Sequence, residues 1–162
     1  MKLEAATALV FLAAVTTHAA DPLYLDELAE TPLSTLQQQF PTLKTEGCYA
    51  VAAGRHLAIS IDRKDQKPWR VTLSAEPPCR RPENGPPVDV RARSGVELGD
   101  TSAAIIERLG RPDASASPEA NQKRLGDTEY FFICRVTEGC ARHTSVFVKN
   151  GVVTAISEWY SE

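Results

Sequence analysis

The sequence predicts an α+β fold made of two tandem repeats, each a helix followed by a three-stranded antiparallel sheet, with the helices packed on one face. Three observations predict it. Leu98-Gly99-Asp100-Thr101, continued through Gly110 and Pro112, reads as a short helix with both ends marked. A degenerate echo of that helix stands near Thr31-Pro32. After each helix come three β-rich stretches, the last two joined by a polar turn.

In chain order, Lys2 and the apolar run over residues 5–15 come first. The run is too short to span a bilayer. Thr17 and Ala19 stand at the −3 and −1 positions of a cleavage site, and Asp21-Pro22 opens the mature chain. Residues 1–20 therefore read as a secretory signal peptide, which places the protein in the periplasm or outside the cell. No cysteine follows the apolar run, so no lipid anchor is expected, and no later stretch is apolar enough for a membrane span.

Residues 21–79 form the first expected repeat. Thr31 caps a helix with Pro32 at its first position, where a missing amide costs nothing. Leu33, Leu36 and Phe40 supply its apolar stripe, and Pro41 stops it. Residues 48–52 read as a short strand. Leu57, Ile59 and Ile61 alternate with Ala58 and Ser60, as a half-buried strand does. Residues 62–67 are a polar turn. Trp69, Val71 and Leu73 should then face the helix, leaving Arg70, Thr72, Ser74 and Glu76 on the free face. Residues 80–95 form a proline-rich linker.

Residues 96–162 form the second expected repeat. Asp100 or Thr101 caps a helix whose stripe is Ala104, Ile105, Ile106 and Leu109. Gly110 sits where a left-handed cap is wanted and Pro112 prevents continuation. Residues 113–127 are polar and read as a loop. Residues 130–136, 144–149 and 152–160 read as strands, with Asn150-Gly151 a hairpin turn between the last two. Tyr130, Phe132 and Cys134 share one face of their strand, Phe131 and Ile133 the other. That strand is either buried between the repeats or displays its aromatics.

The four cysteines, Cys48, Cys79, Cys134 and Cys140, all follow the signal peptide. An even count in an exported chain favours two disulfides. Three pairings are open. Cys48–Cys79 and Cys134–Cys140 are preferred because each stays inside one repeat. Their loops would stabilise by roughly 3.5 and roughly 2–2.5 kcal/mol. The spacing fits zinc poorly.

No nucleophile elbow, phosphate-binding glycine loop or His-Glu-x-x-His occurs. His56 and His143 read as solvated polar residues. Nothing in the spacing of Glu129, Glu138 and Glu158 demands a carboxylate pair. The sequence therefore assigns no catalytic residue, no metal ligand and no cofactor. The net charge of −3 argues against a nucleic-acid partner, which needs a basic footprint. The candidate partner-binding residues are Arg70, Thr72, Phe131, Trp159 and Tyr160.

Leu98-Gly99-Asp100-Thr101 with Ile105, Leu109-Gly110 and Pro112, followed by aromatic strands and Lys149-Asn150-Gly151, resembles the SmpA/OmlA superfamily. That superfamily includes the BamE-like outer-membrane assembly lipoproteins and, as a tandem duplication, the β-lactamase inhibitor proteins. The likeness covers residues 96 to 157 and is faint over the first half. It implies a small exported binding module with helices on one face of an antiparallel sheet, and it transfers no functional residue. The chain departs from the lipoproteins in lacking a lipidated cysteine, and from the inhibitors in its proline-rich linker and cysteine placement. The resulting expectation is an exported, disulfide-bonded, non-enzymatic module that binds a protein, as an inhibitor or immunity-type factor. The alternative is an accessory role in envelope or outer-membrane assembly.

Overall fold

A computed structural model describes residues 21–133 and 142–160. The expected signal peptide, Cys134 and Cys140 lie outside the described residues. Strand β1 (Leu23–Tyr24) runs directly into α1 (Leu25–Glu30). Leu25, Leu28 and Ala29 fall on one face of α1 and are buried, while Asp26 and Glu27 complement the positive end of its dipole. Pro32 holds Thr31 in extended backbone and so ends the helix. Then comes α2 (Leu33–Gln39), whose Leu33 amide donates to the Gln66 carbonyl at 2.8 Å. The sequence announced α2 only. A six-residue helix such as α1 has too little periodicity to show before its tertiary contacts form.

Strand β2 (Glu46–Ala50) reverses through Ala53 and Gly54, both at positive φ, into β3 (His56–Ile61). Leu57, Ile59 and Ile61 are buried on alternate positions, as the pattern required. The Asp62 carboxylate accepts from the Lys64 and Asp65 amides at 2.6 and 3.1 Å, shaping the turn into β4 (Pro68–Ser74). The proline-rich stretch does more than link. It carries β5 (Glu83–Asn84) and β6 (Val90–Arg91), which pair in parallel with β2 and β1.

Helix α3 (Ser102–Leu109) is bounded as its sequence dictates. Thr101 Oγ1 accepts from the Ala104 amide at 3.4 Å, and Gly110 takes φ +78°. Its stripe is narrower than expected: Ile105 is buried, but Ile106 is 57% exposed. Next come β7 (Ala114–Ala116), β8 (Thr128–Ile133), β9 (Arg142–Lys149) and β10 (Val152–Tyr160). Asn150 and Gly151 both take positive φ, as a two-residue turn of the primed type needs. The approach to α3 is fastened to β10. The Gly99 amide donates to Val153, and the Val153 amide to Asp100, each at 2.8 Å.

The expected pair of helix-plus-three-strand repeats is overturned. The protein is mostly β, built on one mixed eight-stranded sheet in the order β5-β2-β3-β4-β10-β9-β8-β7. Strands β4 and β10 pair antiparallel from Arg70–Trp159 to Ser74–Ala155. Two separate small sheets would each leave an unpaired edge at this seam, and pairing satisfies both rows of backbone groups. Helix α1 packs on both β4 and β10, so it serves both halves instead of backing one. The larger apolar core runs from Phe40 and Leu43 past Val71 and Leu73 to Val146 and Ile156, and so spans both halves.

Cys48 and Cys79 form the expected disulfide. Such bonds persist in oxidising, exported compartments. Among the described residues, no helix is long and apolar enough to cross a membrane.

Candidate binding face

Strand alternation sorts the sheet into two faces. Val71 and Leu73 of β4 enter the core beneath the helices, so Arg70, Thr72 and Ser74 point the other way. Across the ladder, the residues beside them on this open face are Ser157 and Trp159 of β10, then His143 and Ser145 of β9. Glu129, Phe131 and Ile133 of β8 complete the row.

Part of the open face is closed by residues 117–127. Leu125 packs on Phe147 and Ala155 as a small second apolar cluster. The Asp127 amide donates to the Val148 carbonyl at 2.9 Å. Gly126 lets this strap approach, since a Cβ there would lie 2.9 Å from the Val148 carbonyl oxygen. A second strap comes from the segment after β4, which the disulfide draws to Cys48, a residue in the same row as Ala58 and Thr72.

Beyond the straps lies a connected polar and aromatic cluster. The His143 ring stacks on Trp159 with centroids 4.4 Å apart. The Arg70 guanidinium lies 5.5 Å from the Trp159 ring and 5.0 Å from Trp69. Trp159 Nε1 donates to Ser145 Oγ at 2.9 Å. Ser145 in turn bonds the Glu129 carboxylate, which is 3% exposed. Burial pushes the Glu129 carboxyl up, opposed by that hydrogen bond and by the Arg70 charge. Burial pulls the Arg70 guanidinium down, and Glu129 and Glu119 hold it up. Arg70 Nε and Glu129 Oε1 are buried with no hydrogen-bond partner among the described residues. Beneath them Thr72 Oγ1 and Ser157 Oγ share a hydrogen bond of 2.8 Å. The arrangement presents a planar cation and two stacked rings on the sheet, with Trp159 tied through Ser145 to Glu129.

The candidate residues named from sequence divide accordingly. Arg70, Phe131 and Trp159 share the open face, each half-buried. Thr72 shares it too, but at 4% exposure it is interior and braces Ser157 instead of meeting a partner. Tyr160 points to the helix face, where its hydroxyl donates to Glu30 at 3.0 Å. Burial and Glu30 push that phenol up to about 12. Trp69, expected under a helix, is 40% exposed at the start of β4. Of the strand whose burial the sequence left open, Phe132 enters the core and Ile133 on the other face is 51% exposed. Cys134, Cys140 and Glu138 lie outside the described residues.

Sequence reasoning missed His143, Ser145, Ser157 and Glu129. The Asn150-Gly151 turn pairs Lys149 with Val152, and counting outward would set Ser145 opposite Ile156. A bulge between Val153 and Ala155 moves the register by one, so Ser145 meets Ser157 and His143 meets Trp159. Glu129 and Glu158 lie on opposite faces of the sheet and cannot act as a pair. Among the described residues, no group of three or more His, Cys, Asp or Glu side chains could hold a metal ion.

No protein-family model matches the chain, and no curated protein matches it. Among solved structures it is similar to a DUF4309 family protein, YjgB, from Bacillus subtilis subsp. subtilis str. 168. The TM-score is 0.53 at 10% identity, covering 83% of this chain and 81% of that one. At that identity the likeness is one of fold.

Proposed function

We propose that this chain is an exported, non-enzymatic protein-binding module, acting in the periplasm or outside the cell as an inhibitor or immunity-type factor. The open face is the binding surface, with Arg70, Phe131, His143 and Trp159 as its centre. The observation that carries the reading is the Arg70–Trp159–His143 stack. Tryptophan and arginine dominate the energetics of protein interfaces, and here Trp159 is held by a hydrogen bond and ring contacts and Arg70 by ring contacts before any partner arrives. The Cys48–Cys79 disulfide supports the exported compartment. The resemblance of residues 96 to 157 to SmpA/OmlA modules supports a binding role.

A photoreactive amino acid at Phe131 should cross-link one discrete protein in an envelope or culture extract. The same group at exposed Glu107 on α3 should not. Trp159→Ala and Arg70→Ala should each weaken binding of that protein by about tenfold or more. Equal cross-linking from both positions, or full affinity in both variants, would refute the assignment of this face.

A further inference from the structure

We propose that a basic cleft at the far end of the open face is an electrostatic docking site for an acidic protein partner, an inference that rests on the protein-binding reading above. Arg80, Lys123, Arg124 and Lys149 converge on this cleft of about 620 Å³, and Glu76 is the one carboxylate that lines it. The four cations come from three separate stretches: the segment just past Cys79, the strap over residues 117–127, and the end of β9. All four are exposed, and among the described residues none meets a carboxylate at ion-pair distance.

Elsewhere among the described residues, the unpaired cations Lys44, Arg63, Lys64, Lys67 and Arg81 do not share a cleft with these four, and the remaining arginines are largely paired. Arg55, Arg91, Arg93, Arg108 and Arg142 each meet at least one carboxylate. The chain as a whole carries a net charge of −3, so the cluster does not reflect a basic composition. Folding gathers these cations, the disulfide and the strap hold them together, and among the described residues Glu76 alone stands in the cleft to offset four positive charges. Their mutual repulsion disfavours the free state and is relieved when an anionic surface arrives.

The position favours a protein as the source of that surface. Lys149 lies in the same row of β9 as Phe147, Ser145 and His143, and so on the open face. Lys123 and Arg124 immediately precede Leu125, which seats on that face against Phe147. The cleft is thus the charged end of a surface whose other end is aromatic. A charged margin beside an aromatic centre is how protein interfaces are organised. A compact cluster with a carboxylate in it suits spaced acidic side chains, whereas the backbone of a polyanion tracks an uninterrupted stripe of cations.

The test titrates the isotopically labelled full chain with a poly-glutamate peptide, following amide shifts by NMR. Shifts should be confined to the segment after Cys79, the strap and the β9–β10 turn. Affinity should fall by about tenfold between about 20 mM and about 300 mM salt. Lys123→Glu combined with Arg124→Glu should weaken it by about tenfold or more with an unchanged melting temperature. Inorganic tripolyphosphate and phosphatidylglycerol vesicles serve as the other arms. Tighter, equally localised binding of either would overturn the assignment to a protein, and so would shifts that are diffuse or indifferent to the charge reversal. Trp159→Ala should leave peptide binding unchanged, so failure of this proposal and failure of the face's aromatic centre are read separately.

Discussion

The two faces of the sheet each bury a glutamate, and they hold it by different means. On the helix face, both Glu158 oxygens take the Thr144 hydroxyl, at 3.0 and 3.1 Å. Burial pushes that carboxyl up to about 7, with Asp26 raising it further and Arg142 opposing. On the open face, Glu129 ends a chain of bonds through Ser145 to Trp159 and feels the charge of Arg70. Glu158 is buried in a cavity it shares with Asp26, Arg142 and Phe132 and is a cost to folding when ionised. Glu129 is a brace for the surface above it. The helix face is organised for stability, and the open face for holding particular side chains in place.

Neighbouring residues on β4 give the sharpest way to break that contrast. Leu73→Ala removes a fully buried core side chain and should cost about 2–5 kcal/mol in urea unfolding. Thr72→Ala, one residue away on the other face, removes only the hydrogen bond to Ser157 and should cost about 1 kcal/mol. Equal losses would mean that the strap side is as much a core as the helix side.

Glu158 gives the next largest effect. Its folded pKa, about 7, lies above its ordinary value of 4.5, so the folded state binds its proton more tightly. The stability this contributes is fully present below the unfolded value and is lost as pH rises through the folded one. The protein should be more stable at pH 5 than at pH 8, by about 2.5 kcal/mol from this group alone. Glu158→Gln should flatten the dependence across that window. A wild-type curve that already rises from pH 5 to pH 8 would contradict the account.

Trp159→Phe tests the open face at its finest grain. It keeps a ring against His143 but removes the donor to Ser145. The expected loss is about 1 kcal/mol of stability. It should be accompanied by a shift in the titration of Glu129, seen by carboxyl-carbon NMR. An unchanged Glu129 titration would show that Ser145 is not held by the indole.

Much of the local structure was legible. The cap at Thr101, the positive φ of Gly110, the Asn150-Gly151 turn and the alternation of Leu57, Ile59 and Ile61 are written in residue types whose backbone preferences are strong. The assembly was not. Three-stranded units are consistent with two sheets or with one, and only the β4–β10 seam decides between them. That seam joins residues far apart in sequence and leaves no local mark. The site was half legible for the same reason. Arg70, Phe131 and Trp159 follow from alternation within single strands, whereas His143 and Ser145 come beside them through a bulge that no turn signal foretells. Tyr160 fell on the wrong face and Thr72 at the wrong depth, because alternation says nothing of what lies above a strand.

The seam also governs the order of assembly. Thr72 and Ser157, hydrogen-bonded at its centre, are 85 residues apart in the chain. As the chain emerges in order, β4 waits with one edge open until β10 arrives, long after its own hairpin with β3 can close. Contacts of such separation slow folding and leave unpaired edges exposed meanwhile. The slow step should therefore be the docking of β10. A partner or chaperone that shielded β4 in that interval would set the yield of folded protein without touching its final stability.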